Sequence, residues 1–140
     1  MENQHKVRGN LKTLKSGDYV YEYFPYYFSD IKVNTYSFDI WDKNDEAPHK
    51  YSFILEIMEN GADLKVMDMF ASDYTGRGIS IPIILKAKEL FGKRIISSSN
   101  THRSRPGEAN WDMAIEKVWE PMVSQGLAIY NELDDRYYVL

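Results

Sequence analysis

The chain has 140 residues, enough for one domain with a sizeable core. It is 44% hydrophobic and 27% charged, the ordinary balance of a water-soluble globular protein. A net charge of −4 gives the molecule no overall pull toward nucleic acid, and the lack of Cys excludes disulfides, thiolate metal sites and cysteine nucleophiles. The opening MENQHKVRGN holds no apolar signal region, and no apolar run approaches the roughly 20 residues needed to cross a bilayer. The expectation is a soluble, cytoplasmic protein without a membrane partner.

Residues 1–16 are polar and basic, with Leu11 and Leu14 as aliphatic anchors before Gly17. They read as a flexible tail or a short amphipathic helix. Residues 19–28, YVYEYFPYYF, begin as an alternating strand over 19–24 that Pro25 should end. Two readings stand for this aromatic run: an edge strand and loop packed over a sheet, or a binding wall whose rings stack on a nucleobase. Residues 33–41 alternate, with Tyr36, Phe38 and Ile40 on one face. A charged loop over 42–50 leads to a strand over 51–58, with Phe53, Leu55 and Ile57 on one face. Glu59-Asn60-Gly61 is a hairpin signal, because Asn-Gly supplies the positive φ of a tight turn. Residues 64–71 return antiparallel.

Next come a glycine turn over 73–78, a helix and a strand at Ile95 and Ile96. Ile83, Ile84, Ala87, Leu90 and Phe91 share one helical face. Pro82 suits a first turn, and Gly92 sits where a C-terminus favours positive φ. The strands flanking this helix should be parallel. Residues 97–107 read as a polar loop. A helix over 108–125 carries Trp111, Ile115, Val118, Trp119 and Met122 on one face, and Pro121 should kink or split it. Strands over 127–130 and 136–140, joined near Asp134-Asp135, close the chain. The sum is an α/β (α+β) fold in a single domain, residues 1–140: a mixed, mostly antiparallel sheet with a central parallel strand pair and flanking helices.

The turn has a chemical use. The first N–H groups of a helix lack partners within it, and the helix dipole leaves partial positive charge there. Gly76 and Gly78 let a phosphate approach the backbone, and Arg77 adds a formal charge. The residues therefore read either as an anion site for a phosphate or pyrophosphate, or as a tight turn alone. Neither the triphosphatase loop nor the dinucleotide pattern fits: the first is missing, and Ile81 stands where the second needs its third Gly.

Tyr74-Thr75-Gly76-Arg77-Gly78-Ile79-Ser80 resembles the pyrophosphate-binding turn of the GNAT superfamily, the acetyl-CoA-dependent N-acetyltransferases. That pattern is Gln/Arg-x-x-Gly-x-Gly/Ala; Thr75 stands at its Gln/Arg position and Ser80 at its second Gly/Ala position. The resemblance covers residues 51–140. Asn110-Trp111-Asp112-Met113-Ala114 is close to the Asn-x-x-Ala of the family's later helix, and Gly126 opens the last hairpin. The family often places a Tyr four residues before that Gly as general acid for the CoA thiolate; here the position is Met122. The resemblance implies acetyl-CoA or another acyl-CoA as donor. It implies backbone contacts to the thioester from Met69, Phe70 and Ala71, with further cofactor contacts from Thr75, Gly76, Arg77, Gly78, Ile79, Ser80 and Asn110. It also implies an amine acceptor, whether small molecule, protein or nucleobase; the short chain and Arg103-Ser104-Arg105-Pro106-Gly107 before a Trp-bearing helix are similar to small members of the family from phages and mobile elements. The alternative is a catalytically inactive GNAT-like scaffold, acting as a binding or phage virion-associated protein.

Acyl transfer to an amine needs a base. Asp68 and Glu56 lie mid-strand in apolar runs, where burial raises a carboxylate pKa, or else they face solvent from an exposed sheet side. Asp73 either pairs with Arg77 or joins the chemistry. Ser97, Ser98, Ser99 and Asn100 either bond the pantetheine or acceptor, or are solvated loop. His5, His49 and His102 read as surface residues, and no metal-ligand spacing occurs. Lys86, Lys88, Lys93, Arg94, His102, Arg103 and Arg105 are a solvated face or meet the 3′-phosphate of CoA or a nucleic acid, the latter not favoured. Residues 19–28 and 127–140 leave a homodimer open.

Overall fold

The structure is a computed structural model that describes residues 6–13, 17–29, 32–44, 53–70, 78–100 and 114–140. Five strands follow one another in an antiparallel meander: β1 (Val7–Thr13), β2 (Gly17–Phe28), β3 (Val33–Asp42), β4 (Phe53–Asn60) and β5 (Asp63–Phe70). Helix α1 (Ser80–Phe91) then leads to β6 (Ile95–Ile96). A π-helical turn over Ile115–Trp119 runs into α2 (Glu120–Ser124), and the hairpin of β7 (Ala128–Asn131) and β8 (Arg136–Val139) ends the chain. The eight strands form one sheet in the order β1-β2-β3-β4-β5-β6-β8-β7. Among the described residues only β5 and β6 pair in parallel, and the other neighbouring strands are antiparallel.

Alternation sorts the meander into two faces. Tyr21, Phe38, Ile40, Leu55, Ile57 and Val66 lie on one, all buried, and α1 covers them with Ile83, Ile84 and Ala87. Burying each such aliphatic side chain contributes about 1.5–3 kcal/mol. Phe91, at the end of α1, meets Tyr36 at 4.5 Å and Tyr23 at 5.2 Å between ring centroids. Helix α1 ends as expected: Gly92 adopts φ 62 and its N–H reaches the Lys88 carbonyl. The hairpin between β4 and β5 turns at Gly61, φ 64. Trp119 of the π turn stacks on Tyr137 of β8 at 5.9 Å, and both belong to the same core cluster as Ile83, Ile84 and Ala87 of α1. Pro121 stands where the π turn passes into α2, and Trp119 and Glu120 before it both keep helical dihedrals. Pro121 has no N–H to donate, and just before it Glu120 bonds back five residues to the Ile115 carbonyl, the spacing of a π turn.

Three expectations are corrected. Residues 7–13 are neither tail nor helix; they form β1, whose Leu11 is buried. In consequence the strand at residues 19–24 is not an edge strand, because β1 pairs along it from Thr13↔Gly17 to Val7↔Tyr23. Nor does Pro25 end β2, which continues to Phe28 with Pro25 opposite Tyr36. Among the described residues the β1 ladder stops at Tyr23, so Pro25 stands where β2 has become an edge and its missing donor costs no ladder bond.

Candidate functional site at the parting of β5 and β6

The parallel pairing of β5 with β6 consists of Leu64↔Ile95 and Lys65↔Ile96. Beyond it the strands part. β5 runs on to Phe70 against β4, while residues 97–100 turn to β8: Ser97 N–H donates to the Tyr137 carbonyl at 2.9 Å and Asn100 N–H to the Asp135 carbonyl at 2.9 Å. A crevice between the carboxyl ends of parallel strands is where open α/β sheets place ligands. A second irregularity falls on the same stretch. The register passes from Ile57↔Val66 to Glu56↔Asp68, so Met67 is an extra residue and β5 is bulged there. Bulges re-aim a strand and are frequent beside active sites.

Helix α1 starts above this end of β5. Gly78 adopts φ 73, a left-handed conformation that favours glycine. Ile79 is the N-cap and offers no side-chain acceptor, and no acidic residue occupies the first turn. The positive end of the α1 dipole is therefore not neutralised within that turn. Ile79 and Ser80 follow Gly78 directly; Ile79 is buried and Ser80 partly exposed. Thr75, Gly76, Arg77, Ala71, Asp73 and Asn110 lie outside the described residues, as do His5, His49, His102, Arg103 and Arg105.

Glu56 and Asp68, named as candidate bases, are Cα partners across β4 and β5, one step before the bulge. Glu56 is partly buried. Met69 pairs with Leu55 and Phe70 with Ile54, at the open end of the crevice.

Ser97, Ser98 and Ser99 are buried, so they are not a solvated loop. Ser97 Oγ donates to the Ser98 carbonyl and accepts from Tyr137 N–H at 2.9 Å. Ser99 Oγ donates to Asp135 at 3.2 Å, and Tyr130 donates to the same carboxylate at 2.5 Å. The hydroxyls of Ser97 and Ser99 thus fasten the β6 exit to the last hairpin. Tyr137 donates its phenol proton to Glu120 at 2.5 Å. Burial first, and then the Glu120 bond, push this phenol up to about 12. It stays protonated at neutral pH and is a poor proton donor to a thiolate. Met122 is wholly buried in the core and carries no proton to give.

The basic residues are largely spent on neighbours. Lys86 pairs with Glu89 at 3.0 Å, Lys93 with Glu59 at 3.9 Å, and Arg94 with Asp63 through two bonds at 3.0 and 2.9 Å. The aromatic run is mainly core: Tyr19 and Tyr21 are buried and Tyr23 packs on Phe38 at 4.7 Å, while Tyr27 is exposed. Reasoning from sequence missed Lys65 and Thr35, which are buried on the sheet face opposite α1. The signal was present in a Lys set within the apolar run Leu64 to Met67.

Among the described residues no cluster of His, Asp and Glu could hold a metal, and no helix is long and apolar enough to cross a membrane. The chain matches no family model, no curated protein and no solved structure.

Proposed function

We propose that this chain is a GNAT-like N-acyltransferase that moves an acetyl or other acyl group from acyl-CoA to an amine. The observation that carries the reading is the parting of β5 from β6 beside a bulge, under an N-terminus of α1 whose first turn holds no acid. Strand β5, helix α1 and the parallel strand β6 follow in the order the resemblance implies, and Gly126 precedes the final hairpin. In this reading the pyrophosphate sits at Gly78, Ile79 and Ser80, together with the preceding turn. The pantetheine enters the crevice, and backbone groups of Met69 and Phe70 hold the thioester. Glu56 or Asp68 takes a proton from the acceptor nitrogen. The nitrogen then attacks the thioester carbon, so that a C–N bond forms and the C–S bond breaks. The leaving thiolate takes its proton from solvent, since Met122 and Tyr137 do not supply one.

Ser80→Glu tests the donor site with opposite signs. A carboxylate in the first turn of α1 should stabilise the free protein by about 0.3–1 kcal/mol through the helix dipole. The same charge should repel a pyrophosphate. Acetyl-CoA at about 100 times its dissociation constant should add roughly 2.7 kcal/mol to the parent, several degrees of Tm, and little or nothing to the variant. An unchanged melting point for the parent in millimolar acetyl-CoA would sink the reading. A second reading, a binding scaffold without catalysis, is favoured by the core position of Met122; it predicts that no amine is acylated even where acetyl-CoA binds.

A further inference from the structure

The two edges of the sheet are built differently. Among the described residues β1 and β7 are its outermost strands. An open edge presents unpaired N–H and C=O groups, and charged side chains along it discourage a second sheet from joining. β1 has that protection: Arg8 and Lys12 lie on it, with side chains 62% and 86% exposed. β7 has none, since Ala128-Ile129-Tyr130-Asn131 carries no charge and no Pro.

The ladder between β7 and β8 fixes which groups point outward. Leu140 N–H donates to the Leu127 carbonyl at 2.9 Å. Bonded pairs alternate along an antiparallel ladder, so Ile129 with Tyr138 and Asn131 with Arg136 are bonded pairs too. The N–H and C=O of Ala128 and Tyr130 are thereby turned to the free edge. Ile129 between them is 49% exposed, and Leu133 at the hairpin tip is 97% exposed. The tip is fastened: Asn131 Oδ1 accepts from Leu133 N–H at 3.0 Å and from Asp134 N–H at 3.1 Å.

We propose that the β7 edge is a dimer interface, occupied by β7 of a second copy of this chain that runs antiparallel across a two-fold axis at Ile129. Such an axis sets a patch against itself, and paired residues must share a sheet face, which restricts the register. With the axis at Ile129, each Ala128 lies opposite the partner's Tyr130, and the outward N–H and C=O groups of both residues are matched. Ile129 then packs on the partner's Ile129. Glu132 falls opposite the partner's Gly126, so no like charges meet. Moving the axis to Ala128 or Tyr130 would set a strand residue against Gly126 or Glu132, outside the strand. The pair uses up the bare edge of both copies and leaves the charged β1 at each end, so assembly stops at two. The contact also reaches the candidate site: Tyr130 bonds Asp135, which receives the Ser99 hydroxyl at the β6 exit. The proposal does not depend on the transferase reading.

The test uses the full chain, whose lack of Cys makes single-cysteine variants unambiguous. Sedimentation equilibrium of the parent from about 1 to 200 μM should carry the mass from 16.4 kDa toward twice that value. The ladder is short, so the pair should be reversible, with a dissociation constant on the order of micromolar. Ile129→Lys sets two ammonium groups against each other at the axis and should weaken the pair about tenfold or more. Ile129→Cys should form an intermolecular disulfide under mild oxidation, because facing residues of a non-bonded pair lie within reach of one. Val7→Cys, on the β1 edge and 39% exposed, should not. Should Ile129→Lys fail to fold, the two cysteine variants still decide. A parent that stays at 16.4 kDa up to about 200 μM would overturn the proposal. So would a dimer that Ile129→Lys leaves intact, or equal cross-linking through Ile129→Cys and Val7→Cys.

Discussion

Gly9 and Tyr21 face each other across β1 and β2, and neither is replaceable alone. A Cβ added at Gly9 would lie 2.3 Å from Tyr21 Oη and 2.5 Å from its Cζ. The ring occupies the space a side chain would need, and Tyr21 is itself buried. Gly9→Ala should therefore cost about 1–3 kcal/mol by overpacking, read as a fall in the urea midpoint. The double variant with Tyr21→Ala should lose most of that specific penalty, which a double-mutant cycle would show as coupling. Tyr137 makes a different prediction. Its ordinary phenol value of 10.0 is raised to about 12 in the folded protein, by burial first and by Glu120 second. The neutral phenol is the favoured form, so this stability is complete below pH 10 and is lost as pH climbs through 12. Tyr137→Phe should flatten that alkaline limb of the stability curve, although Tyr130 and Tyr138, also raised through bonds to Asp135 and Asp134, will keep part of it.

At the level of elements, β1 is the informative case. As a tail, residues 7–13 would tolerate Leu11→Ala without effect. As a strand with Leu11 in the core, the same change should cost about 2–5 kcal/mol in chemical denaturation. The sequence hid this strand because one bulky anchor serves it: at Gly9 the core is filled from the neighbouring strand by Tyr21. Pro25 misled for a related reason, since its meaning depends on whether a partner lies alongside, which only the assembled sheet decides. By contrast β3, the Gly61 hairpin, α1 with its Gly92 cap and the last hairpin were legible, because period and turn chemistry are local properties. The candidate site was legible in part. Its helix α1 and Gly78, whose φ is 73, stood out in the letters. The bulge at Met67, the parting of β5 from β6 and the burial of Lys65 and Thr35 did not. Those arise from how one strand meets the next, and composition carries no record of it.

For the whole molecule, the sheet is two antiparallel blocks, β1–β5 and β6–β8. Among the described residues the strand pairing that joins them is Leu64↔Ile95 and Lys65↔Ile96. Arg94 clasps the closed end of this seam: its backbone carbonyl accepts from Leu64 N–H at 2.9 Å and its guanidinium holds Asp63. The side-chain pair is exposed, so Arg94→Ala should lower global stability by no more than about 1 kcal/mol. The same variant should speed amide exchange at Leu64 well beyond that of the meander, the signature of a local opening rather than global unfolding. A molecule seated in the crevice would touch both blocks at once and would act as a rivet. Occupancy would then be visible far from the ligand, as slower exchange along the seam and as resistance to a protease that cuts between the blocks. The joint that gives the protein its opening is thus also the place where its bound and free forms should differ most in mechanical strength.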